Sequence, residues 1–189
     1  MAKRDLTAEQ IEDLAEKAKM GDTASFAMLY DCFVDPIYRY VFFRVKKDDA
    51  LDLTENIFLK VWENIRSYRS AEGRGTFSSW IYRIAHNTVV DHYRLQKEYA
   101  ELDANVADEK RQNDPVQVTE QNLGRETLKK AVSKLKKAYQ QIILLKYINE
   151  LENHEIARIM KRSEGSIRIL KFRALRALRD VLENMRINY

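Results

Sequence analysis

The sequence predicts an all-α protein made of two small helical domains. Only five glycines and two prolines occur among 189 residues, so few positions favour a break in a helix. Apolar residues recur every three or four positions along nearly the whole chain, which is the spacing of helices that bury one face. No alternation of strands and helices typical of a parallel sheet is visible. With 45% hydrophobic and 33% charged residues, the composition is that of a soluble folded protein.

Four helices are expected in the first domain, residues 1–97. Thr7 followed by Gln10 has the form of a capping box, so the first helix should begin near Ala8. In the third helix, aliphatic residues at four-residue spacing form a stripe that should face the core. The stripe consists of Leu53, Ile57, Val61 and Ile65. The four helices are expected at about residues 8–21, 22–43, 49–66 and 77–97, with a glycine-containing loop over residues 67–76.

Residues 98–126 are expected to link the two domains. Acidic residues accumulate there, the apolar pattern weakens, and Asp114-Pro115 and Gly124 disfavour a continuous helix. The segment has 29 residues, and at about 3.3–3.6 Å per extended residue it can reach roughly 100 Å. We expect it to be disordered or only partly helical in the free protein.

Charge is distributed unevenly along the chain. Counting Lys and Arg against Asp and Glu, residues 1–97 are neutral, residues 98–127 carry −5 and residues 128–189 carry +9, within a net charge of +4. This asymmetry indicates a C-terminal domain that meets phosphate, joined by an acidic connector to a neutral domain. A lysine-rich solvated face is the alternative interpretation of the charge alone.

The second domain, residues 127–189, is expected to contain a helix-turn-helix. Helices are predicted at about residues 127–147, 154–160 and 164–185, and Ser163 is placed to cap the last of them. One side of that last helix should be buried and carries Ile167, Leu170, Ala174, Ala177, Leu178 and Val181. The other side carries Arg168, Ile169, Phe172, Arg173, Arg176 and Arg179.

This arginine-rich face suits the major groove of DNA. Arginine binds guanine edges or phosphates, and apolar side chains contact thymine methyl groups. A basic amphipathic helix that meets a membrane or a protein partner is the alternative. The preceding helix and turn favour DNA.

Other features exclude several function classes. The single cysteine, Cys32, cannot form an internal disulfide and is expected in the core, which fits a reducing cytoplasm. No stretch approaches the roughly 18 apolar residues of a membrane span, and no secretion segment is visible. One cysteine and three histidines form no zinc set, so no metal or other cofactor is expected, and His92 is interpreted as a hydrogen-bonded core residue. Clustered carboxylates are also missing from the sequence, so the protein is not expected to be an enzyme.

Two stretches together resemble the extracytoplasmic-function (ECF) sigma factors of RNA polymerase. The C-terminal stretch resembles region 4 of that family through Tyr147-Ile148-Asn149-Glu150-Leu151, Glu155-Ile156-Ala157 and Glu164-Gly165-Ser166-Ile167-Arg168. Residues 21–97 resemble region 2 through Phe58-Leu59-Lys60-Val61-Trp62 and Trp80-Ile81-Tyr82-Arg83-Ile84-Ala85. The resemblance implies a transcription initiation protein that binds core RNA polymerase, through the β′ clamp helices and the β subunit, and promoter DNA. An anti-sigma factor is a further candidate partner, and no membrane contact is expected.

The resemblance also implies three functional faces. The polymerase-docking face should carry Asp52, Glu55, Asn56 and Leu59. The face that opens the −10 element should carry Trp80, Arg83, Asn87 and Arg94. The −35 element should meet Arg168, Ile169, Phe172, Arg173 and Arg176. Two alternatives remain at this stage: Trp80 as a structural anchor, and a helix-turn-helix regulator that binds DNA without polymerase.

Four positions depart from the common family pattern. The family usually has Gln-Glu at Glu55-Asn56, a proline at Lys136, a turn glycine at Lys161 and a basic residue at Leu170. The helical wheel places Leu170 on the core side, so the predicted fold is unaffected there.

Overall fold

The computed structural model of the protein describes residues 6–69, 75–102 and 120–187, and within these ranges every regular element is helical. The helices are α1 (Ala8–Lys19), α2 (Thr23–Phe42), α3 (Asp49–Asn64), α4 (Phe77–Leu102), α5 (Glu120–Ser133), α6 (Lys137–Ile143), α7 (Asn153–Met160) and α8 (Glu164–Ile187). A 3-10 turn at Ile65–Ser67 follows α3, and a π-helical turn at Leu144–Ile148 continues α6. The predicted all-α class is confirmed.

Helices α1 to α4 pack side by side around one core. Helix α1 lies against α2, α2 against α3, and α3 against α4. Thr7 and Gln10 form the predicted capping box at the start of α1. The four aliphatic residues of the predicted α3 stripe are all buried. Local periodicity was therefore sufficient to locate the core face of this half.

The C-terminal helices pack around α8. Both α6 and α7 lie against it. Ile167 and Ala174 are buried, and the other four residues of the predicted apolar side are partly buried against the core. The backbone N–H of Ser166 donates to Ser163 Oγ over 3.3 Å, so Ser163 caps α8 as predicted.

The prediction of one helix over residues 127–147 is wrong. Helix α5 ends at Ser133, and Lys136 adopts an extended conformation (φ −59°, ψ 144°) before α6 begins. The side-chain amide of Gln140 donates to the carbonyls of Ser133 and Leu135 over 3.1 and 2.8 Å. These carbonyls lie at a helix end and lack donors from within their own helix, so Gln140 stabilises the break.

The segment predicted as a linker is helical at both ends. Helix α4 continues past the predicted end at Lys97 to Leu102, and α5 already begins at Glu120. Residues 103–119 lie outside the described residues, so the disorder predicted for this segment stays a prediction. Residues 70–74 of the predicted loop also lie outside. The domain boundaries at residues 97 and 126 stay a prediction.

The last turns of α4 are more exposed than the sequence predicts. On a helical wheel Leu95 lies on the same side of α4 as the buried Phe77, Ile81 and Ala85, but it is 48% exposed, and every residue from 93 to 99 is exposed. His92, just before these turns, is half-buried, and its Nε2 lies 3.4 Å from the Asp49 carboxylate. The helical period therefore continues into turns where no helix of the described residues covers the apolar side of α4.

The N-terminal and C-terminal halves contact each other. Helix α7 packs on α4, and the π-helical turn packs on α2. Nδ1 of His86 lies 3.1 Å from the Gln141 amide of α6 and 3.0 Å from the Arg44 guanidinium. Burial, and to a lesser degree the charge of Arg44, lowers the pKa of His86 to about 4. The imidazole is therefore neutral near pH 7 and can accept these hydrogen bonds.

Lys161 ends α7 in the left-handed conformation (φ 52°, ψ 50°), at the position where the resembled family has a turn glycine. This conformation costs a residue with a Cβ about 1–2 kcal/mol. We expect Lys161→Gly to raise the free energy of unfolding by about 0.5–1 kcal/mol, the remainder being lost to the greater freedom of glycine in the unfolded chain. Urea denaturation measures it. Lys161→Ala keeps the Cβ and should show no such gain, and equal stabilities for both variants would contradict the prediction.

Candidate nucleic-acid interface

One side of α8 presents basic and apolar side chains to solvent. Ile169 is 56% and Phe172 is 69% exposed. Arg168, Arg173 and Arg176 are exposed on the same side. Among the described residues, no carboxylate pairs with these three arginines, whereas Arg179 lies 3.3 Å from Glu183. The five residues predicted to meet the −35 element thus share one face, with guanidinium groups free to bind an external anion.

The helix-turn-helix leaves the arginine-rich side of α8 directed away from the rest of the domain. Ile156 of α7 and Ile167 of α8 are both fully buried, so the first turns of α8 are fixed against α7. Lys161 makes the sharp turn that joins the two helices. Exposure of a phenylalanine ring to water is unfavourable. A surface where such a ring lies among arginines is therefore typical of a binding site.

Three of the four residues predicted for the −10 element lie exposed along α4. These are Arg83, Asn87 and Arg94. Trp80 is half-buried, because its ring packs against Tyr68 and Phe77 at centroid distances of 5.3 and 5.5 Å. The structure therefore gives Trp80 the anchoring contacts that the sequence left as an alternative. The part of the ring that stays accessible faces a cavity.

This cavity of about 310 Å³ lies at the start of α4. Its walls are formed by Ser67, Tyr68, Arg69, Thr76, Ser79, Trp80, Arg83 and Arg158. Guanidinium, hydroxyl and aromatic groups are those that bind phosphates, base edges and base faces of single-stranded nucleic acid. The sequence did not single out Arg158, because it belongs to α7 and no pattern within α4 could indicate it.

The two halves of the protein meet at the mouth of this cavity. The Thr76 hydroxyl donates to Glu155 of α7 over 2.8 Å. Gly75 has φ +114°, and a Cβ there would lie 2.7 Å from Ser79 Oγ and 3.7 Å from Arg158 Cδ. The positive φ favours glycine at this position, and a Cβ would also require the Ser79 hydroxyl to move.

An acidic and apolar face lies on α3. Asp52, Glu55, Asn56 and Leu59, the residues predicted for polymerase docking, are all exposed, with Leu59 at 63%. Two residues that the sequence interpretation did not include border this face and enlarge its apolar area. They are Leu51, 59% exposed, and Trp62, 41% exposed. A helical wheel places both at its edge, so the same periodicity could have indicated them.

Within residues 6–69, 75–102 and 120–187, no helix combines the length and the hydrophobicity needed to cross a membrane. The same residues contain no group of three or more His, Cys, Asp or Glu side chains placed to hold a metal ion.

Comparison with known proteins gives two family matches. The profile described as sigma-70 region 2 matches residues 29–99, and the profile described as sigma-70 region 4 matches residues 125–178. The ECF RNA polymerase sigma factor BldN of Streptomyces coelicolor is 32% identical over 185 residues, which cover 94% of this chain and 68% of BldN. The chain belongs to the ECF RNA polymerase sigma factors. A second sigma factor of this type, SigW of Bacillus subtilis, is 29% identical over 93% of this chain and 98% of its own.

Two solved structures share the fold of this sigma factor. CnrH, in complex with the cytosolic domain of CnrY, matches with a TM-score of 0.71 over 94% of this chain and 99% of that chain, at 19% identity. The sigma factor RpoE of Bartonella quintana, in complex with the anti-sigma factor NepR, matches with a TM-score of 0.69 over 84% and 96%, at 20% identity. The fold is thus that of sigma factors across both halves.

Family membership confirms the predicted promoter-directing function in transcription. It favours this function over a helix-turn-helix regulator that acts without polymerase. The roles of individual residues on α3, α4 and α8 stay predictions. Helix α1 lies outside both matched ranges, so the family match gives no role to its residues.

Proposed function

We propose that this sigma factor docks on core RNA polymerase through α3, opens the −10 element with α4 and its cavity, and binds the −35 element through α8. The observation that carries the proposal is the presence of two exposed basic and aromatic faces on separate halves of one chain. A third face, on α3, is acidic and apolar. Each half thus offers one surface suited to DNA, and the N-terminal half offers a second surface suited to protein.

The face of α8 fits duplex DNA. It is a helix that follows a sharp turn, and its exposed Ile169 and Phe172 are flanked by arginines that have no carboxylate partner among the described residues. Arginine forks bind guanine or phosphate, and the apolar groups contact thymine methyls in the major groove. The order of the helices matches that of a helix-turn-helix domain whose last helix enters the major groove.

The cavity at the start of α4 fits an unpaired base and its phosphate. Trp80 offers an aromatic surface, Ser79 and Thr76 offer hydroxyls, and Arg83 offers positive charge. A base inside a duplex presents no free face for stacking, so such a cavity favours separated strands. Asn87, one turn further along α4, is exposed and can hydrogen bond to a base edge.

The face of α3 fits a basic protein surface, such as that proposed for the β′ clamp helices. Asp52 and Glu55 supply negative charge, and the exposed Leu59 supplies an apolar contact of the kind that dominates interface energies. An anti-sigma factor is a further proposed partner, because the solved RpoE with the same fold was determined with one. The protein itself is proposed to be a non-enzymatic subunit that acts in the cytoplasm.

Reconstituted transcription tests the proposed function. Purified core polymerase is mixed with genomic fragments of the source organism, with and without this protein, and transcript starts are mapped. We expect starts at defined sites only when the protein is present. Unchanged random initiation, together with tight binding of the free protein to palindromic duplex, would contradict the sigma-factor mechanism.

A further inference from the structure

Glu12 of α1 contacts both ends of the segment that joins α3 to α4. One carboxylate oxygen, Oε1, accepts the backbone N–H of Phe77 over 2.7 Å. The other, Oε2, accepts the hydroxyl of Tyr68. Phe77 is the first residue of α4, and its N–H is one of the donors that a helix start leaves without an internal partner. Helix α4 is therefore capped by a side chain from a different helix.

Of the two residues held by Glu12, Tyr68 lines the candidate −10 cavity, and Phe77 packs against the rings of Tyr68 and Trp80 that line it. Tyr68 and Phe77 are both buried, and their rings pack at 5.4 Å. The Tyr68 ring also packs against Trp80 at 5.3 Å, and both rings line the cavity. A change at Glu12 is thus transmitted through Tyr68 and Phe77 to the wall of the cavity.

Two neighbouring acids of α1 form ordinary surface ion pairs. Asp13 pairs with Lys17 at 2.6 Å and Glu16 pairs with Lys19 at 3.0 Å, each within the helix. Glu12 has no such basic partner among the described residues, and both of its oxygens are used by the loop ends. A partly buried carboxylate without hydrogen bonds would be costly, so its orientation toward the two donors is well determined.

We propose that Glu12 is a positioning residue for opening of the −10 element. Its carboxylate fixes the distance between Tyr68 and Phe77, and with it the position of Trp80 and Thr76 around the cavity. A negative charge at the start of α4 also favours the helix through its dipole. The inference rests on the proposed −10 role of the cavity and adds to it a residue outside the matched family ranges.

The test uses full-length variants assembled into holoenzyme on a promoter that the reconstituted system initiates from. Opening is followed by 2-aminopurine fluorescence at an unpaired −10 position, and affinity for core polymerase is measured in parallel. Glu12→Gln keeps the size of the side chain but replaces one acceptor oxygen with a donor. We expect about a 10-fold loss of opening, the size of one lost hydrogen bond to a charged group. Core affinity should be unchanged.

Two further variants test whether the loss of opening in Glu12→Gln is specific to its contacts with the loop ends. Tyr68→Phe removes the hydroxyl and retains the ring, and should reproduce part of the loss. Glu16→Gln, one turn along α1 with no contact to the loop ends, should open the promoter normally. A loss of core affinity and thermal stability in Glu12→Gln equal to the loss of opening would overturn the positioning role in favour of a purely structural one.

The proposed function and the positioning role are separated by a third variant, Arg83→Ala. If Arg83→Ala impairs opening and Glu12→Gln does not, the cavity is functional and the positioning role of Glu12 is wrong. If neither variant impairs opening, the −10 role of the cavity fails, and the role of Glu12 falls with it.

Discussion

Asp52→Lys combined with Leu59→Ala should abolish co-purification of the protein with core RNA polymerase. The reversal puts a positive charge on a face proposed to meet basic polymerase surface, and the truncation removes the most exposed apolar group of that face. Loss of one interface anchor costs about 2–4 kcal/mol, and an adverse charge adds to it. We therefore expect at least a 100-fold weaker affinity, which pull-down with tagged core polymerase would detect.

Both residues are exposed, so the double variant should fold normally, which circular dichroism would verify. A matched control is Asp31→Lys with Met20→Ala, which changes an exposed acid and an 87% exposed apolar residue away from α3. This control should co-purify like the unchanged protein. Retention of the α3 variant on polymerase would show that the docking surface lies elsewhere.

Arg173→Ala should weaken binding of the holoenzyme to its promoter by about 10- to 100-fold while leaving core affinity intact. Arg173 is exposed at the centre of the α8 face and has no carboxylate partner among the described residues. A bidentate contact between arginine and guanine contributes about 1–3 kcal/mol of discrimination. Promoter binding is measured by fluorescence anisotropy with a labelled duplex that contains the −35 element.

Arg173→Lys distinguishes the two kinds of contact that Arg173 could make. Lysine keeps the positive charge but lacks the planar guanidinium group. Arg173→Lys should therefore restore a contact to phosphate but not a bidentate contact to a base. Lys134→Ala, which removes an exposed charge between α5 and α6, controls for the general loss of positive charge. Normal promoter binding by Arg173→Ala would contradict the assignment of this face to the −35 element.

The sequence was most informative where structure depends on local spacing. The buried side of α8 and the stripe of α3 follow from the helical period alone, and all their residues lie in or against the core. The exposed faces followed as their complements. The family resemblance then suggested functions for those faces, which stay predictions, and the family matches confirmed the promoter-directing function of the whole protein.

Features that depend on individual side-chain contacts outside the helical period could not be predicted. The break between α5 and α6 depends on the Gln140 side chain, which donates to carbonyls of the preceding turn and connection. The partial burial of Trp80 requires Tyr68, which comes from the other side of a loop. Glu12 of α1 contacts Tyr68 and Phe77 beside the cavity, and Arg158 of α7 lines the cavity itself. No periodicity within α4 contains information about either of them.

The contact between Thr76 and Glu155 places the start of α4 directly against α7. The resemblance to ECF sigma factors implies −10 and −35 elements about two helical turns apart, which is roughly 70 Å on a straight duplex. Because α7 also packs on α8, this contact joins the proposed −35 face to the start of α4. We therefore expect promoter-bound molecules, whose two proposed DNA faces must lie that far apart, to come from a different part of the conformational ensemble. The promoter affinity of the free protein then equals its intrinsic affinity multiplied by the fraction of molecules in which the two halves have separated.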